Sequence, residues 1–144
     1  MARAFTRQRI FVIDDDEEIA GMLGEMLRGM GYFSVVCTKP LNALTLFSRA
    51  PGRFDAVIVD EMMPDLRGTQ LAVQFLRVKD SIPIVLMTGR GDMISMEQAR
   101  ESGIRTILIK PVLMERLRVV LAGLLKKAKQ GLKDGNMPAL QNHD

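Results

Sequence analysis

The sequence predicts an α/β domain in which a five-stranded parallel sheet carries helices on both faces. Short apolar runs rich in β-branched residues recur along the 144-residue chain, and segments with helical spacing of apolar residues separate them. Such runs are typical of strands buried in a parallel sheet. Four of the runs end on polar residues, at Asp14, Asp60, Thr88 and Lys110. Because strands alternate with helices, we expect right-handed crossovers and the doubly wound, flavodoxin-like strand order 2-1-3-4-5.

The strands are predicted from the apolar runs and from the turn residues that bound them. The run Val57-Ile58-Val59-Asp60 is the clearest, because it is apolar throughout and stops on a carboxylate. Pro83 is tolerated near the start of the fourth strand, where a missing N–H costs little. The five predicted strands span residues 8–14, 34–37, 55–60, 81–87 and 105–109.

The helices are predicted from apolar spacing and from their end signals. Asp16-Glu17-Glu18 should begin the first helix, because acids favour the positive end of a helix dipole. Thr38 is expected to cap the second helix, with Pro40 in its first turn. A short fourth helix should end near Ser102-Gly103. The core-facing residues are predicted to be Ile19, Met22, Leu23, Met26, Leu27 and Met30, then Ala43, Leu44, Phe47 and Ala50, then Leu71, Ala72 and Phe75, and finally Leu113, Leu117, Val120, Leu121, Leu124 and Leu125.

Composition limits the classes of function. Net charge is only +3, aromatic residues make up 5% and there is no Trp, so direct nucleic-acid binding is not predicted. The single cysteine, Cys37, excludes an internal disulfide and fits a reducing cytoplasm. No apolar run approaches the roughly 20 residues that cross a bilayer, so no membrane association is predicted. We expect an N-terminal leader over residues 1–7, one domain over 8–129 and a flexible tail over 130–144.

The polar residues that end the strands predict phosphoryl chemistry. Ligands bind at the carboxyl ends of parallel strands, where Asp14, Asp15 and Asp60 should share one crevice. Three carboxylates repel one another unless a hard cation such as Mg²⁺ joins them. Lys110 offers a positive charge and Thr88 a hydroxyl, which together suit the oxygens of a phosphoryl group. A carboxylate can serve as the nucleophile, and Asp60 is the best candidate because it stands alone on its strand.

The four motifs IDDD, VDEMMPD, MTG and IKP occur in order, and as a set they are specific. Over residues 8 to 127 the chain resembles the receiver domain of bacterial two-component response regulators. The resemblance implies that Asp60 accepts a phosphoryl group and that Mg²⁺ is the cofactor. It also implies a set of site residues, in which the metal is held by Asp14, Asp15, Asp60 and the backbone carbonyl of Met62, and the phosphoryl group by Thr88 and Lys110.

The chain also departs from that family. Receivers usually carry an aromatic residue three positions before the lysine, and this chain has Ile107, so a ring movement cannot report activation. Arg67 stands where an Asp often precedes the glycine of the loop. Met62 and Arg90 occupy positions at which receivers vary the lifetime of the phosphoryl group, and an apolar Met62 predicts slow self-dephosphorylation.

The leading hypothesis is a phosphorylation-controlled switch rather than an enzyme. The donor would be a sensor histidine kinase or a histidine phosphotransfer protein, because the only histidine, His143, lies in the predicted tail. A downstream effector protein would bind one of the two states, phosphorylated or unphosphorylated. The resemblance also implies that a homodimer can form through the last two helices. Alternatives are a pseudo-receiver that binds partners without phosphorylation, and a receiver fragment of a longer regulator with an output domain. An aspartyl phosphatase is disfavoured, because Met62 replaces the second acid such enzymes need.

Overall fold

The computed structural model describes residues 7–89 and 96–133, and these form one parallel sheet flanked by helices. The strand order is β2-β1-β3-β4-β5 and every neighbouring pair is parallel, as the sequence predicts. The strands are β1 (Arg9–Ile13), β2 (Phe33–Cys37), β3 (Ala56–Asp60), β4 (Ile84–Thr88) and β5 (Thr106–Ile109). The helices are α1 (Glu17–Gly29), α2 (Pro40–Arg49), a 3₁₀ turn (Pro51–Arg53), α3 (Gly68–Val78), α4 (Met96–Glu101) and α5 (Met114–Lys133).

The core consists of two apolar layers, one on each face of the sheet. Alternate residues of β1 show this, since Phe11 and Ile13 lie in one layer and Ile10 and Val12 in the other. Successive side chains of a strand point to opposite faces, so a central strand of this kind must be apolar throughout. One layer contains buried residues of α2, α3 and α4, and the other contains those of α1 and α5. Phe11, Phe47, Phe54 and Phe75 stack in the first layer.

The first helix begins and ends on recognisable sequence signals. The Asp16 side chain caps α1 by accepting hydrogen bonds from the backbone N–H groups of Glu18 and Ile19, at 3.0 and 3.2 Å. The helix ends at Gly29, and Gly31 then adopts a φ of +100°, a left-handed conformation that glycine reaches without steric cost.

Replacing the Asp16 cap is expected to weaken the fold modestly. Asp16→Ala leaves two N–H groups of α1 without their side-chain acceptor, which should lower the free energy of unfolding by about 1 kcal/mol. Urea unfolding followed by far-ultraviolet circular dichroism measures this change. Asp80→Ala, at an exposed site elsewhere, removes the same charge and should have little effect. Equal losses in the two variants would contradict a capping role.

Three predictions about individual side chains are wrong. Thr38 does not cap α2, because the N-cap residue is Lys39 and it makes no side-chain capping bond. Met22 was expected in the core stripe of α1, yet its side chain is 54% exposed. Leu113 was expected on the last helix, but it precedes α5 and is 68% exposed. Thr38 fits the local pattern by residue type, and Met22 and Leu113 fit it by helical spacing. The buried residues of α1 and α5 are instead neighbours such as Leu23 and Leu117, which pack against the sheet.

The remaining differences concern element ends. Met30 and Ala50 are the C-cap residues of α1 and α2, although Met30 still packs against the core as predicted. Strand β4 begins at Ile84, after Pro83, and extends to Thr88. Helix α5 continues to Lys133, beyond the predicted domain boundary at 129, and the rest of the predicted tail lies outside the described residues.

Candidate functional site

The carboxyl ends of two neighbouring strands bring three acidic residues together. Asp14 directly follows β1 and Asp60 is the last residue of β3, and these two strands pair side by side. Asp15 is next in the chain, and one carboxylate oxygen from each of Asp14, Asp15 and Asp60 lies within 4.8 Å of the others. Asp14 is fully buried, Asp60 is 3% exposed and Asp15 is exposed. The fold therefore gathers the acidic crevice from two distant parts of the sequence.

Lys110 provides the positive charge at this edge of the sheet. Its Nζ lies 2.9 Å from Asp60 Oδ1 and 3.4 Å from Asp14 Oδ2. The residue follows β5, and its backbone N–H donates to the carbonyl of Thr88 at 2.8 Å, which fixes the chain where the side chain leaves the sheet. Thr88 ends β4 and is 3% exposed. Four strand ends thus supply the groups that sequence reasoning selected.

Burial and the charges of neighbouring groups shift the pKa values of these residues. Desolvation raises the pKa of Asp60 to about 6, because the hydrogen bond from Lys110 only partly offsets it and the Asp14 charge adds to it. Desolvation also raises the pKa of Asp14, against the lowering effects of the Asp16 N–H and of Lys110. Burial by itself would lower the pKa of Lys110, but the hydrogen bond to Asp60 and the nearby carboxylates outweigh it and the pKa is raised.

One atom of the crevice lacks a hydrogen-bond donor. Asp14 Oδ1 accepts from the backbone N–H of Asp16 at 3.0 Å, whereas the buried Oδ2 accepts no hydrogen bond and lies 3.4 Å from Lys110 Nζ. Leaving a buried carboxylate oxygen without a hydrogen-bond donor is costly. An oxygen-only set of three carboxylates with one such atom fits a hard divalent cation such as Mg²⁺.

Other predicted site residues lie around this crevice or outside the described part of the chain. Met62 follows Asp60 in the loop to α3, and its side chain is 48% exposed. Ile107 is half-buried on β5, so an aliphatic side chain occupies the position at which receivers usually carry an aromatic ring. Arg90 lies outside the described residues. Lys110 and Pro111 are joined by a cis peptide bond.

Sequence reasoning missed Glu61. This residue immediately follows Asp60, is 2% exposed and accepts hydrogen bonds from Thr69, while Arg67 Nη1 lies 3.4 Å from its Oε2. One signal was available in the sequence, because the loop that follows Asp60 carries an acid at Glu61 and a base at Arg67. Opposite charges six residues apart across a loop favour an ion pair.

Comparisons with known proteins agree with this geometry. The family model described as the response regulator receiver domain matches residues 10–122. The chain belongs to this family. It is therefore a receiver domain of the kind found in two-component response regulators, and the resemblance read from the four motifs is confirmed.

Individual relatives support the same assignment. The DNA-binding response regulator MtrA of Mycobacterium tuberculosis is 36% identical over 105 residues, which cover 73% of this chain and 45% of that protein. The two-component response regulator ARR11 of Arabidopsis thaliana is 28% identical over 126 residues, covering 88% of this chain and 24% of that protein. The receiver chain thus spans less than half the length of these relatives.

Solved structures show the same fold. A response regulator receiver domain from Clostridium thermocellum superposes with a TM-score of 0.81 at 24% identity, covering 85% of this chain and 98% of that one. A CheY-like receiver domain from Methanospirillum hungatei also gives 0.81, at 20% identity over 87% of this chain and 98% of that one. Within the described ranges of the receiver, no helix has the length and hydrophobicity to cross a membrane.

Proposed function

We propose that this receiver domain is a phosphorylation-controlled switch that accepts a phosphoryl group on Asp60 in a Mg²⁺-dependent reaction. The observation that carries the proposal is the position of the Asp60 carboxylate, which ends β3 beside Asp14 and lies 2.9 Å from the Lys110 ammonium. A nucleophile, a fixed cation and a group of acids are the parts that phosphoryl transfer to a carboxylate requires.

In the proposed reaction a carboxylate oxygen of Asp60 forms a bond to phosphorus. The bond from phosphorus to the donor breaks, and its electron pair leaves with the imidazole nitrogen of a phosphohistidine or with the carboxylate oxygen of an acyl phosphate. Only ionised Asp60 is nucleophilic, and a pKa of about 6 leaves most molecules ionised at pH 7.5. Lys110 places positive charge beside the phosphoryl oxygens, and the Thr88 hydroxyl donates a hydrogen bond to one of them.

The metal would be held by Asp14, Asp15 and Asp60, with the Met62 backbone carbonyl as a further ligand. Bound Mg²⁺ supplies positive charge that offsets both the clustered carboxylates and the transferring phosphoryl group. Among the residues that the structure describes, Asp14 contributes a buried oxygen that accepts no hydrogen bond, which supports its assignment as a ligand.

The proposed partners follow from this chemistry. A histidine kinase or histidine phosphotransfer protein donates the phosphoryl group in the cytoplasm, and a downstream effector protein distinguishes the two states. The domain turns over no external substrate and catalyses only its own phosphorylation and dephosphorylation. With Ile107 on β5, the readout uses Thr88 and its loop rather than an aromatic ring.

Phosphorylation can be tested on the protein alone. Incubation with acetyl phosphate and Mg²⁺ should add one phosphoryl group to the intact mass, and beryllofluoride with Mg²⁺ should mimic this state. Asp60→Asn should abolish the adduct, and chelation of the metal should prevent it in the wild type. If folded wild-type protein forms no adduct and shows no Mg²⁺ binding, the proposal fails and the pseudo-receiver becomes the better account. A change in elution volume on phosphorylation would add homodimerisation as an output.

A further inference from the structure

Glu61 is a buried acid that the proposed chemistry does not use. Its side chain is 2% exposed, and it lies next to Asp60 in the sequence but outside the acidic crevice. Oε1 accepts from the backbone N–H of Thr69 at 2.9 Å, and Oε2 accepts from the Thr69 hydroxyl at 3.3 Å. Arg67 Nη1 completes the set at 3.4 Å from Oε2. Burying a carboxylate costs a large free energy unless hydrogen-bond donors and a cation of this kind surround it.

Glu61 also serves as the cap of α3. The helix has Arg67 at its N-cap position, a residue type that cannot accept a hydrogen bond through its side chain. Glu61 supplies the missing acceptors, because its backbone carbonyl binds the N–H of Gly68 at 3.0 Å and its carboxylate binds that of Thr69. A carboxylate at this end of a helix also interacts favourably with the helix dipole.

The same residue fixes the backbone beside the phosphoacceptor. The N–H of Glu61 donates to the carbonyl of Met87 at 2.9 Å, one residue before Thr88 on β4. Gly68 approaches so closely that an added Cβ would overlap the Asp60 carbonyl oxygen. The end of β3, the end of β4 and the start of α3 therefore meet at Glu61.

Arg67 extends this arrangement to the other end of the loop. Its Nη1 lies 3.4 Å from Glu61 Oε2 and 3.6 Å from Met62 Sδ, so a single guanidinium group contacts both residues that follow Asp60. Arg67 is about half exposed, whereas Glu61 is buried, so the Arg67 side chain lies between Glu61 and the solvent.

We propose that Glu61 is a positioning residue for phosphoryl transfer. Its side chain is held by Arg67 and Thr69, and it fixes the segment that carries the Asp60 carboxylate and the Met62 carbonyl. This inference rests on the proposed function of Asp60. Small displacements of a reacting group slow a reaction strongly. Loss of the Glu61 side chain should therefore slow phosphoryl uptake in molecules that remain folded.

The experiment compares the rate constants of phosphoryl uptake from acetyl phosphate at saturating Mg²⁺, by intact mass. We expect Glu61→Ala to lower the rate constant about tenfold. Glu61→Gln keeps an acceptor for Thr69 and should recover part of the loss, and Arg67→Gln should cause a smaller decrease of the same kind. Each rate is measured under conditions in which circular dichroism shows the variant to be folded. If Glu61→Ala does not fold, the rates of Glu61→Gln and Arg67→Gln test the positioning role instead.

Two matched controls separate positioning from stability. Gln70→Ala removes another acceptor at the start of α3, because Gln70 Oε1 binds the Arg67 N–H at 2.9 Å, but it leaves Glu61 in place. Glu115→Gln breaks the exposed Arg118–Glu115 pair on α5. Both should take up phosphoryl groups at the wild-type rate.

Equal slowing in Gln70→Ala, or wild-type rates in the folded Glu61 and Arg67 variants, would overturn the positioning role while leaving the proposed function intact. A wild-type protein that takes up no phosphoryl group would instead overturn the proposed function itself.

Discussion

Gly68→Ala is expected to lower the free energy of unfolding by about 1–3 kcal/mol, because it forces atoms into a space that is already filled. An added Cβ would overlap the carbonyl oxygen of Asp60 and would lie 2.9 Å from Leu86 Cδ1. The first contact is with backbone, which cannot rotate away as a flexible side chain can. Strand β3 and the start of α3 would have to separate at the point where Asp60 is held. Urea unfolding followed by circular dichroism measures the loss.

The matched control for this prediction is Gly21→Ala in α1. An added Cβ at Gly21 meets no atom within 4 Å, and alanine has a higher helix propensity than glycine. This variant should therefore gain about 0.5–1 kcal/mol. If the two substitutions changed stability in the same direction, the close approach of α3 to Asp60 would not be a constraint on the fold.

Asp60→Asn is expected to stabilise the metal-free protein at pH 7.5 by up to about 3 kcal/mol. Burial raises the pKa of Asp60 from 3.8 to about 6, so the folded state holds its proton in a range where the unfolded chain has released it. The folded wild type consequently loses stability as the pH rises from about 4 to about 6. Asparagine keeps the shape of the side chain and carries no charge, so it avoids this loss.

The pH dependence distinguishes this cause from a general packing effect. The two proteins should have similar stability near pH 3.5, and the advantage of Asp60→Asn should appear between pH 4 and pH 7. Asp80→Asn, at an exposed site, serves as the control and should follow the wild type. Adding Mg²⁺ should reduce the advantage, because a bound cation stabilises the ionised wild-type site and binds the variant less well. Parallel pH profiles for the wild type and Asp60→Asn would contradict desolvation as the dominant effect.

The acidic crevice shows how far local sequence can locate a site. Asp14 and Asp60 were identified because each follows an apolar strand, and parallel strands carry their carboxyl ends to one edge. The sequence could not rank their burial, which is set by the helices that cover the sheet. It also could not show that Lys110 approaches Asp60 more closely than Asp14, by 2.9 against 3.4 Å.

Glu61 illustrates a different limit. Apart from the opposite charge of Arg67, nothing in its local sequence separates it from a solvent-exposed acid at the end of a strand, and its role depends on Thr69 and Arg67 across the loop. Arg67, the N-cap residue of that helix, makes no side-chain capping bond, so the acceptor for the Thr69 N–H comes from another part of the chain. Such a contact follows from the meeting of β3 and α3 rather than from a pattern within either element.

The sequence by itself determined the strand order, the alternation of elements and the family, because these depend on apolar period, turn chemistry and a set of short motifs. It also determined which acids and which lysine end neighbouring strands. Tertiary structure alone decided that Met22 and Leu113 face solvent, that Lys39 rather than Thr38 precedes α2, and that Glu61 is buried. The physical reason is range: periodicity and capping act over a few residues, whereas burial and hydrogen-bond partners depend on which distant surfaces meet.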